Sequence, residues 1–120
     1  MFDPSGQDVS FGLSYEHTQL GDTTVLDLRG EIDLATGDDL ATQLDRALAT
    51  RPKLLVVDLS AVDFLGSAGL SALIVAKGKA DSQDTRVRMV CNRTTRRTIE
   101  LTGLAEQFDL VDDRAAALKG

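Results

Sequence analysis

The middle of the chain constrains its fold more than any other part. Residues 54–76 have the sequence LLVVDLSAVDFLGSAGLSALIVA. Their first apolar run, 54–57, is short and contains two Val residues, which predicts a strand buried on both faces. Their second apolar run, 70–76, carries Leu, Ile and small Ala residues and predicts a buried helix. We therefore expect the strand and the helix to meet at Gly66 and Ser67.

Strand-like and helix-like segments alternate along the rest of the chain. Their order is strand, strand, helix, strand, helix, strand, helix, short strand, helix, which is typical of a mostly parallel sheet. A hairpin turn at Gly21 and Asp22 makes the first strand an antiparallel edge. We expect one α/β domain at residues 11–120, with a mixed sheet of about four or five strands and about four helices. A loose leader at residues 1–10 would precede it.

Local signals set the expected starts of the helices. Thr36, followed by Asp39, resembles a capping box at the first helix. The hydroxyl of Ser67 is expected to cap the second helix, and that of Thr94 or Thr95 the third. Residues 30–34 are expected to form the loop before the first helix.

Composition excludes several classes of function. The chain has 120 residues and a net charge of −6, which disfavours general binding to the phosphate backbone of nucleic acids. No apolar run reaches the roughly 18 residues of a membrane span, and a single Cys allows no internal disulfide. We therefore expect a soluble cytoplasmic protein that binds no nucleic acid and inserts into no membrane.

The sequence has no group of His, Cys and carboxylate residues at the spacing of a catalytic or metal site. His17 is the single His, and no Cys or carboxylate cluster stands near it at metal-ligand spacing. Cys91 is expected to be a small buried side chain, because no His is at hand to activate it. We expect no catalytic residue, no metal and no cofactor.

Ser67 is the candidate functional residue, because ligands and partners meet open α/β sheets at the carboxyl ends of their strands. A phosphate on it would add about −1.5 to −2 charges at a helix N-terminus, where the dipole favours it by about 0.3–1 kcal/mol. Repulsion from Asp33, Asp58 and Asp63 would be about 1 kcal/mol or less each in water. Burial of an unpaired dianion in an interface costs several kcal/mol. A phosphate there would therefore control binding and not folding.

These residues carry a resemblance to a known family. The chain resembles the STAS domain and, within it, the bacterial anti-sigma factor antagonists, from about residue 11 to residue 118. The best marker is the strand-to-helix segment 56–70, VVDLSAVDFLGSAGL. Two further markers are GEID at residues 30–33 and LTGL at residues 101–104, the latter followed by Phe108.

The resemblance implies a partner-switching function. The family's Ser at the position of Ser67 is phosphorylated by an anti-sigma factor that is also a serine kinase. The unphosphorylated antagonist binds this partner and frees a sigma factor, the phosphorylated form lets go, and a phosphatase resets it. By resemblance, the partner-binding residues are Gly30, Glu31, Asp33, Asp58, Ser60, Asp63, Gly66, Ser67 and Gly69.

Two alternatives stay open from the sequence. The family usually has Asp where this chain has Gly66 and often a second Ser where it has Ala68, which leaves room for a STAS scaffold or sensing module without phosphorylation. The other alternative is a receiver domain phosphorylated on Asp58, which ends a central strand. A receiver also needs an acidic pair after its first strand and a Lys directly after its last, and neither is found here.

Overall fold

One sheet runs through the part of the chain that the computed structural model describes, residues 8–10 and 12–119. Its six strands are β1 (Asp8–Ser10), β2 (Leu13–Leu20), β3 (Thr23–Ile32), β4 (Leu54–Leu65), β5 (Arg86–Val90) and β6 (Asp109–Val111). The helices are α1 (Gly37–Ala49), α2 (Ser67–Ser82), α3 (Arg93–Leu101) and α4 (Arg114–Leu118), and a 3₁₀ turn, Ala105–Gln107, precedes β6.

The strands lie in the sheet in their order along the chain. Strands β1 to β3 are antiparallel, and β3 to β6 are parallel. Successive parallel crossovers step in the same direction with the same hand, so their helices fall on one face of the sheet. Accordingly α1, α2 and α3 bury their apolar sides in the main core, while α4 covers a small second cluster of Val25, Val56, Val90 and Ala117 on the other face.

The predicted class is confirmed: the chain is a single α/β domain with a mixed, mostly parallel sheet and four α-helices. The sheet has one strand more than expected, because residues 8–10 of the predicted leader pair with β2 as β1. Strand β2 therefore lies inside the sheet and not at its edge. Residues 1–7 of that leader lie outside the described residues.

Strands β3 and β4 run further than the sequence predicts, and two β-bulges interrupt their pairing. Residues 30–32, expected in a loop, continue β3, and residues 58–65 continue β4. Each bulge gives β4 one residue more than β3, at 59–60 and again at Asp63. A bulge breaks the period-two alternation of side chains. The hydrophobic pattern alone therefore indicates strands that stop too early.

Helix α2 is apolar on most sides, yet it is covered on one side only. Its buried residues are Gly69, Leu73, Ala76 and Ala80. On its outer side Ile74 is 41% exposed and Val75 is 57% exposed, so the predicted buried helix is buried on its inner side alone. A helix that is apolar all round is normally enclosed by protein. The outer side of α2 is thus an apolar part of the surface.

Helix α4 is tied to the sheet by charged side chains. The Arg114 guanidinium donates to Asp58 Oδ2 at 2.7 Å and to Asp27 Oδ2 at 3.0 Å. Burial raises the pKa of the Asp58 carboxyl, but hydrogen bonds from the Ser60 hydroxyl and N–H and from Arg114 outweigh burial and hold that pKa below its usual value. Asp58 is 4% exposed, so this carboxylate is a charged group inside the fold.

The lowered pKa of Asp58 predicts a contribution to stability that acid removes. It is present above the pKa of the unfolded carboxyl, about 3.9, and is lost as the pH falls through the lower folded value. We expect Asp58→Asn to lower the free energy of unfolding at neutral pH by about 1–3 kcal/mol, since Arg114, 43% exposed, keeps some water. The variant's stability should then fall less than the wild type's as the pH falls below about 4.

Urea unfolding at a series of pH values measures this effect. The matched control is Asp45→Asn, which removes an exposed ion pair with Lys79 and should change stability by less than about 1 kcal/mol. Parallel pH profiles for the wild type and Asp58→Asn would show that the carboxylate has no net stabilising effect.

Candidate functional site

The loop between β3 and α1 is closed by its own side chains. Asp33 Oδ1 accepts hydrogen bonds from the N–H groups of Ala35 at 3.0 Å and Thr36 at 3.1 Å. The Thr36 hydroxyl donates to the carbonyl of Glu31 at 2.9 Å. Thr36 is the N-cap residue of α1, but its side chain caps no helical N–H group, so the predicted capping box with Asp39 is wrong. The hydroxyl is used to close the loop instead.

Ser67 is the first residue of α2 and is exposed. The predicted junction of strand and helix at Gly66 and Ser67 is confirmed, but the N-cap residue is Gly66, so the prediction that Ser67 caps the helix is wrong. The Gly66 N–H donates to the carbonyl of Ile32 at 2.8 Å, which joins the start of α2 to the end of β3. Among the described residues the Ser67 hydroxyl has no hydrogen-bond partner.

Two of the expected partner-binding glycines have packing roles. A Cβ on Gly69 would lie 2.5 Å from Cγ2 of Ile32 and 2.7 Å from Cδ1 of Leu65, so glycine lets α2 pack directly on the ends of β3 and β4. Gly30 has φ +108°, and a Cβ there would lie 2.1 Å from the carbonyl oxygen of Gly12. Gly69 is buried, and both glycines allow the close packing of the backbone that lies under the exposed residues.

Asp58 is separate from the exposed residues at the start of α2. Its neighbours Val57 and Leu59 belong to the main core, and alternation along β4 puts Asp58 on the opposite face, where it meets Arg114. The resemblance places it on the partner-binding surface, but the structure buries it. Ser60 is exposed, yet its hydroxyl and N–H donate to Asp58 Oδ1 at 2.6 and 2.9 Å. The hydrogen bonds between Ser60 and Asp58 therefore stabilise the first bulge of β4.

Asn92 supports the same bulged segment from the other side, and sequence reasoning missed it. Its Nδ2 donates to the carbonyls of Ser60 at 3.1 Å and Val62 at 2.8 Å. Its Oδ1 accepts from the Thr95 N–H at 2.8 Å, and the Thr95 hydroxyl accepts from the Asn92 N–H at 3.0 Å. Asn92 is thus the N-cap of α3, where Thr94 or Thr95 was the expected cap. The sequence signal for this N-cap is an Asn three residues before a Thr.

The exposed residues that remain at this end of the sheet form one surface. Glu31 pairs with Phe64, and Asp33 and Leu34 follow β3 directly. Leu34 is 90% exposed and Phe64 is 51% exposed, and sequence reasoning missed both apolar side chains. We define the Ser67 surface by its exposed or half-buried members: Glu31, Asp33, Leu34, Ser60, Asp63, Phe64, Gly66 and Ser67.

A groove between α1 and α2 continues this surface. Its volume is about 310 Å³, and its lining includes Leu34, Ala41, Ala68, Ala72 and Val75. These side chains are apolar, so the groove can accept an apolar part of a partner. Asp38, Asp45, Ser71 and Lys79 add polar and charged groups to the same lining. Between residues 12 and 119 no group of three His, Cys, Asp or Glu side chains is placed to hold a metal ion. In the same part of the chain, no helix is long and apolar enough to cross a membrane.

Comparison with known proteins assigns the family. The chain belongs to the STAS domain family, whose model matches residues 14–117. Among individual proteins, the chain is 41% identical over 97 residues to the anti-sigma-F factor antagonist RsfB of Mycobacterium tuberculosis, in an alignment that covers 80% of this chain and 79% of RsfB. The family resemblance carried by residues 56–70 is thereby confirmed.

Solved structures agree with this family. A crystal structure of an anti-sigma factor antagonist from Mycobacterium paratuberculosis superposes with a TM-score of 0.79 at 32% identity, over 98% of this chain and 96% of that one. The unphosphorylated form of the anti-sigma factor antagonist SpoIIAA superposes with a TM-score of 0.70, over 85% of this chain and 91% of that one. At 15% identity, SpoIIAA shows a common fold alone.

The receiver-domain alternative is wrong. A receiver has a flavodoxin-like parallel sheet in the order 2-1-3-4-5, whereas this sheet keeps chain order and begins with antiparallel strands. Asp58, the acceptor in that alternative, is buried and bonded to Arg114 and Ser60.

The double role of Asn92 predicts a graded loss of stability. Asn92→Ser keeps a capping oxygen and removes the amide donors to β4, so we expect the free energy of unfolding to fall by about 1–2 kcal/mol. Asn92→Ala also removes the cap and should cost about 1 kcal/mol more. Urea unfolding of both variants measures the two steps. Wild-type stability in Asn92→Ser would mean that the bonds to the bulge contribute nothing.

Proposed function

We propose that this protein is an anti-sigma factor antagonist whose binding to its anti-sigma factor is switched off by phosphorylation of Ser67. The unphosphorylated chain binds the anti-sigma factor through the Ser67 surface and so releases a sigma factor. The anti-sigma factor acts as a serine kinase, and a phosphatase restores the binding form. The protein works in the cytoplasm, because a sigma factor acts on the cell's own transcription machinery.

The observation that carries this proposal is the exposed Ser67 hydroxyl beside the exposed apolar side chains of Leu34 and Phe64. Identity of 41% with RsfB, over 80% of this chain, supports the role of an antagonist. Transfer of the γ-phosphoryl group of ATP to Ser67 Oγ forms a phosphate ester, releases ADP and frees the hydroxyl proton. Because the hydroxyl is exposed and bonded to none of the described residues, the transfer breaks no hydrogen bond of the described fold.

The start of α2 tolerates a phosphate. The first turn of α2 contains no acidic side chain, and its N-cap Gly66 has no side chain that could accept from the free N–H groups. The helix dipole therefore favours the phosphate by about 0.3–1 kcal/mol. One repulsion expected from the sequence is absent, because Asp58 lies on the other face and is paired with Arg114. The phosphorylated protein should stay folded.

A bound partner does not tolerate the same phosphate. Leu34 and Phe64 give the Ser67 surface an apolar character, and a partner that covers them also removes water from Ser67. Burial of an unpaired dianion then costs several kcal/mol, and each 1.4 kcal/mol is a tenfold loss of affinity. Phosphorylation thus reduces binding by at least about a hundredfold without a change of fold.

Gly66 fits this surface although the family pattern has Asp there. A Cβ at this position would lie 3.0 Å from Cε2 of Phe64, so a larger residue would press on that ring. Glycine leaves Phe64 in place and puts no carboxylate beside Ser67. We infer that recognition by the kinase depends here on the shape and apolar character of the surface rather than on a carboxylate at position 66.

Substitution of Ser67 separates binding from folding. We expect Ser67→Ala to bind the anti-sigma factor as the wild type does but to escape phosphorylation. Ser67→Glu should lose at least about tenfold in affinity, because a single charge mimics a dianion only in part. Its melting temperature should change by less than about 3 °C. Isothermal titration calorimetry and thermal unfolding measure the two quantities.

The control for added charge is Ser82→Glu, the same substitution at the opposite end of α2. It should bind as the wild type does. If Ser67→Ala also fails to bind, Ser67 is a contact and not a switch. If Ser67→Glu binds as the wild type does, the protein is a constitutive binder or scaffold.

The exposed Leu34 side chain of the Ser67 surface allows a further prediction. Leu34 is 90% exposed, so Leu34→Ala should leave the free energy of unfolding within about 0.5 kcal/mol of the wild type. If the partner buries this side chain, affinity should fall by about tenfold. Leu101→Ala is the matched control, since Leu101 is 76% exposed at the far end of α3. Equal affinities for both variants would remove Leu34 from the interface.

A further inference from the structure

The first two turns of α3 carry three arginines, of which the fold uses one. Arg96 donates to Asp112 at 2.8 Å, which joins α3 to the segment before α4. Arg93 and Arg97 are exposed, and no acidic partner for either lies among the described residues. Within that part of the chain they are unpaired positive charges, in a protein whose net charge is −6.

The placement of these arginines works against the stability of α3. Cations are unfavourable near a helix N-terminus, where the dipole is positive, and α3 has no acidic residue in its first turn. Arg93 and Arg97 are also four residues apart, so two like charges face each other on one side of the helix. The stability of α3 therefore does not explain why this pair is there.

The bonds of Asn92 place this pair beside the Ser67 surface. Asn92 Nδ2 is bonded to the carbonyls of Ser60 and Val62, so the start of α3 is fixed against the bulged end of β4. Arg93 follows Asn92 directly, and Arg97 lies one turn further along α3. The end of β4 then leads through Gly66 into Ser67.

The opposite side of the same surface is acidic. Glu31 and Asp33 lie at the end of β3, and Asp38 and Asp39 occupy the first turn of α1. The exposed surface around Ser67 thus has acidic groups next to α1 and at Asp63 in β4, and basic groups at the start of α3. Such an arrangement fixes the orientation of a partner with the complementary charges and accelerates its association.

We propose that Arg93 and Arg97 are the basic side of the docking surface and receive an acidic segment of the anti-sigma factor. This inference rests on the proposed function and extends the partner-binding surface to α3. The two guanidinium groups act before and during docking: they attract the acidic segment over a Debye length and then pair with its carboxylates at the rim of the interface. Their main effect is on the association rate.

The test compares two double variants with the same change in charge. Arg93→Gln with Arg97→Gln removes the pair, and Arg46→Gln with Lys53→Gln removes two exposed cations at the opposite end of the sheet. Association and dissociation rates with the purified anti-sigma factor are measured by stopped flow at low and at physiological salt. We expect the first variant to associate about tenfold more slowly at low salt, with a weaker salt dependence and a nearly unchanged dissociation rate. Its melting temperature should equal or exceed that of the wild type.

Each other outcome overturns the inference in a recognisable way. If the wild type binds and the Arg93/Arg97 variant associates at the same rate, the pair has no role in docking and the proposed function stands. If the control variant slows association equally, overall charge is responsible. A melting temperature several degrees lower would make the pair structural. If the wild type does not bind the anti-sigma factor at all, the proposed function fails together with this inference.

Discussion

The bulged end of β4 is the segment on which the functional end of the molecule depends. Beyond Asp58, β4 no longer pairs with β5, so its backbone is held by β3 on one side and by side chains on the other. The Asn92 amide binds two of its carbonyls within 3.1 Å, and Asp58 binds the N–H and hydroxyl of Ser60. Without these bonds, the part-buried polar groups of the bulges would lose their partners within the fold, at about 0.5–1.5 kcal/mol each.

The packing and hydrogen bonds of that segment would allow a surface residue to act as the proposed switch. Gly69 lets α2 pack on Ile32 and Leu65, and the N–H of Gly66 binds the end of β3. Ser67 is therefore presented from a fixed backbone, not from a long loop. A charge added to its hydroxyl would change the surface electrostatics and leave the core below unchanged. Control of binding through desolvation needs no conformational change in the protein itself.

Much of the fold could be predicted from the sequence because its signals are local. The apolar runs before and after Gly66 and Ser67 predict a buried strand followed by a helix, and the structure has both. The alternation of elements predicts a mostly parallel sheet. The outer side of α2 could not be distinguished from its inner side, because Ile74 and Val75 are as apolar as the buried Leu73.

The parts that could not be predicted depend on contacts between distant residues. Asp58 resembles an exposed acid at a strand end until Arg114, 56 residues away, is placed beside it. Asn92 reaches Val62 across 30 residues, and no local pattern indicates that bond. The bulges remove the alternation that would have extended β4 to Leu65. Leu34 was missed because a lone apolar residue in a turn has no local signature of exposure.

Phosphorylation followed by titration tests the switch most directly. The chain is incubated with its purified anti-sigma factor and ATP, and peptide mass spectrometry locates the phosphate. Calorimetry then compares the affinity of the phosphorylated and unphosphorylated proteins for that partner. We expect one phosphate, on Ser67, an affinity at least about a hundredfold lower, and an unchanged fold. A phosphate at another residue, or equal affinities for the two forms, would contradict the assignment of Ser67 as the switch.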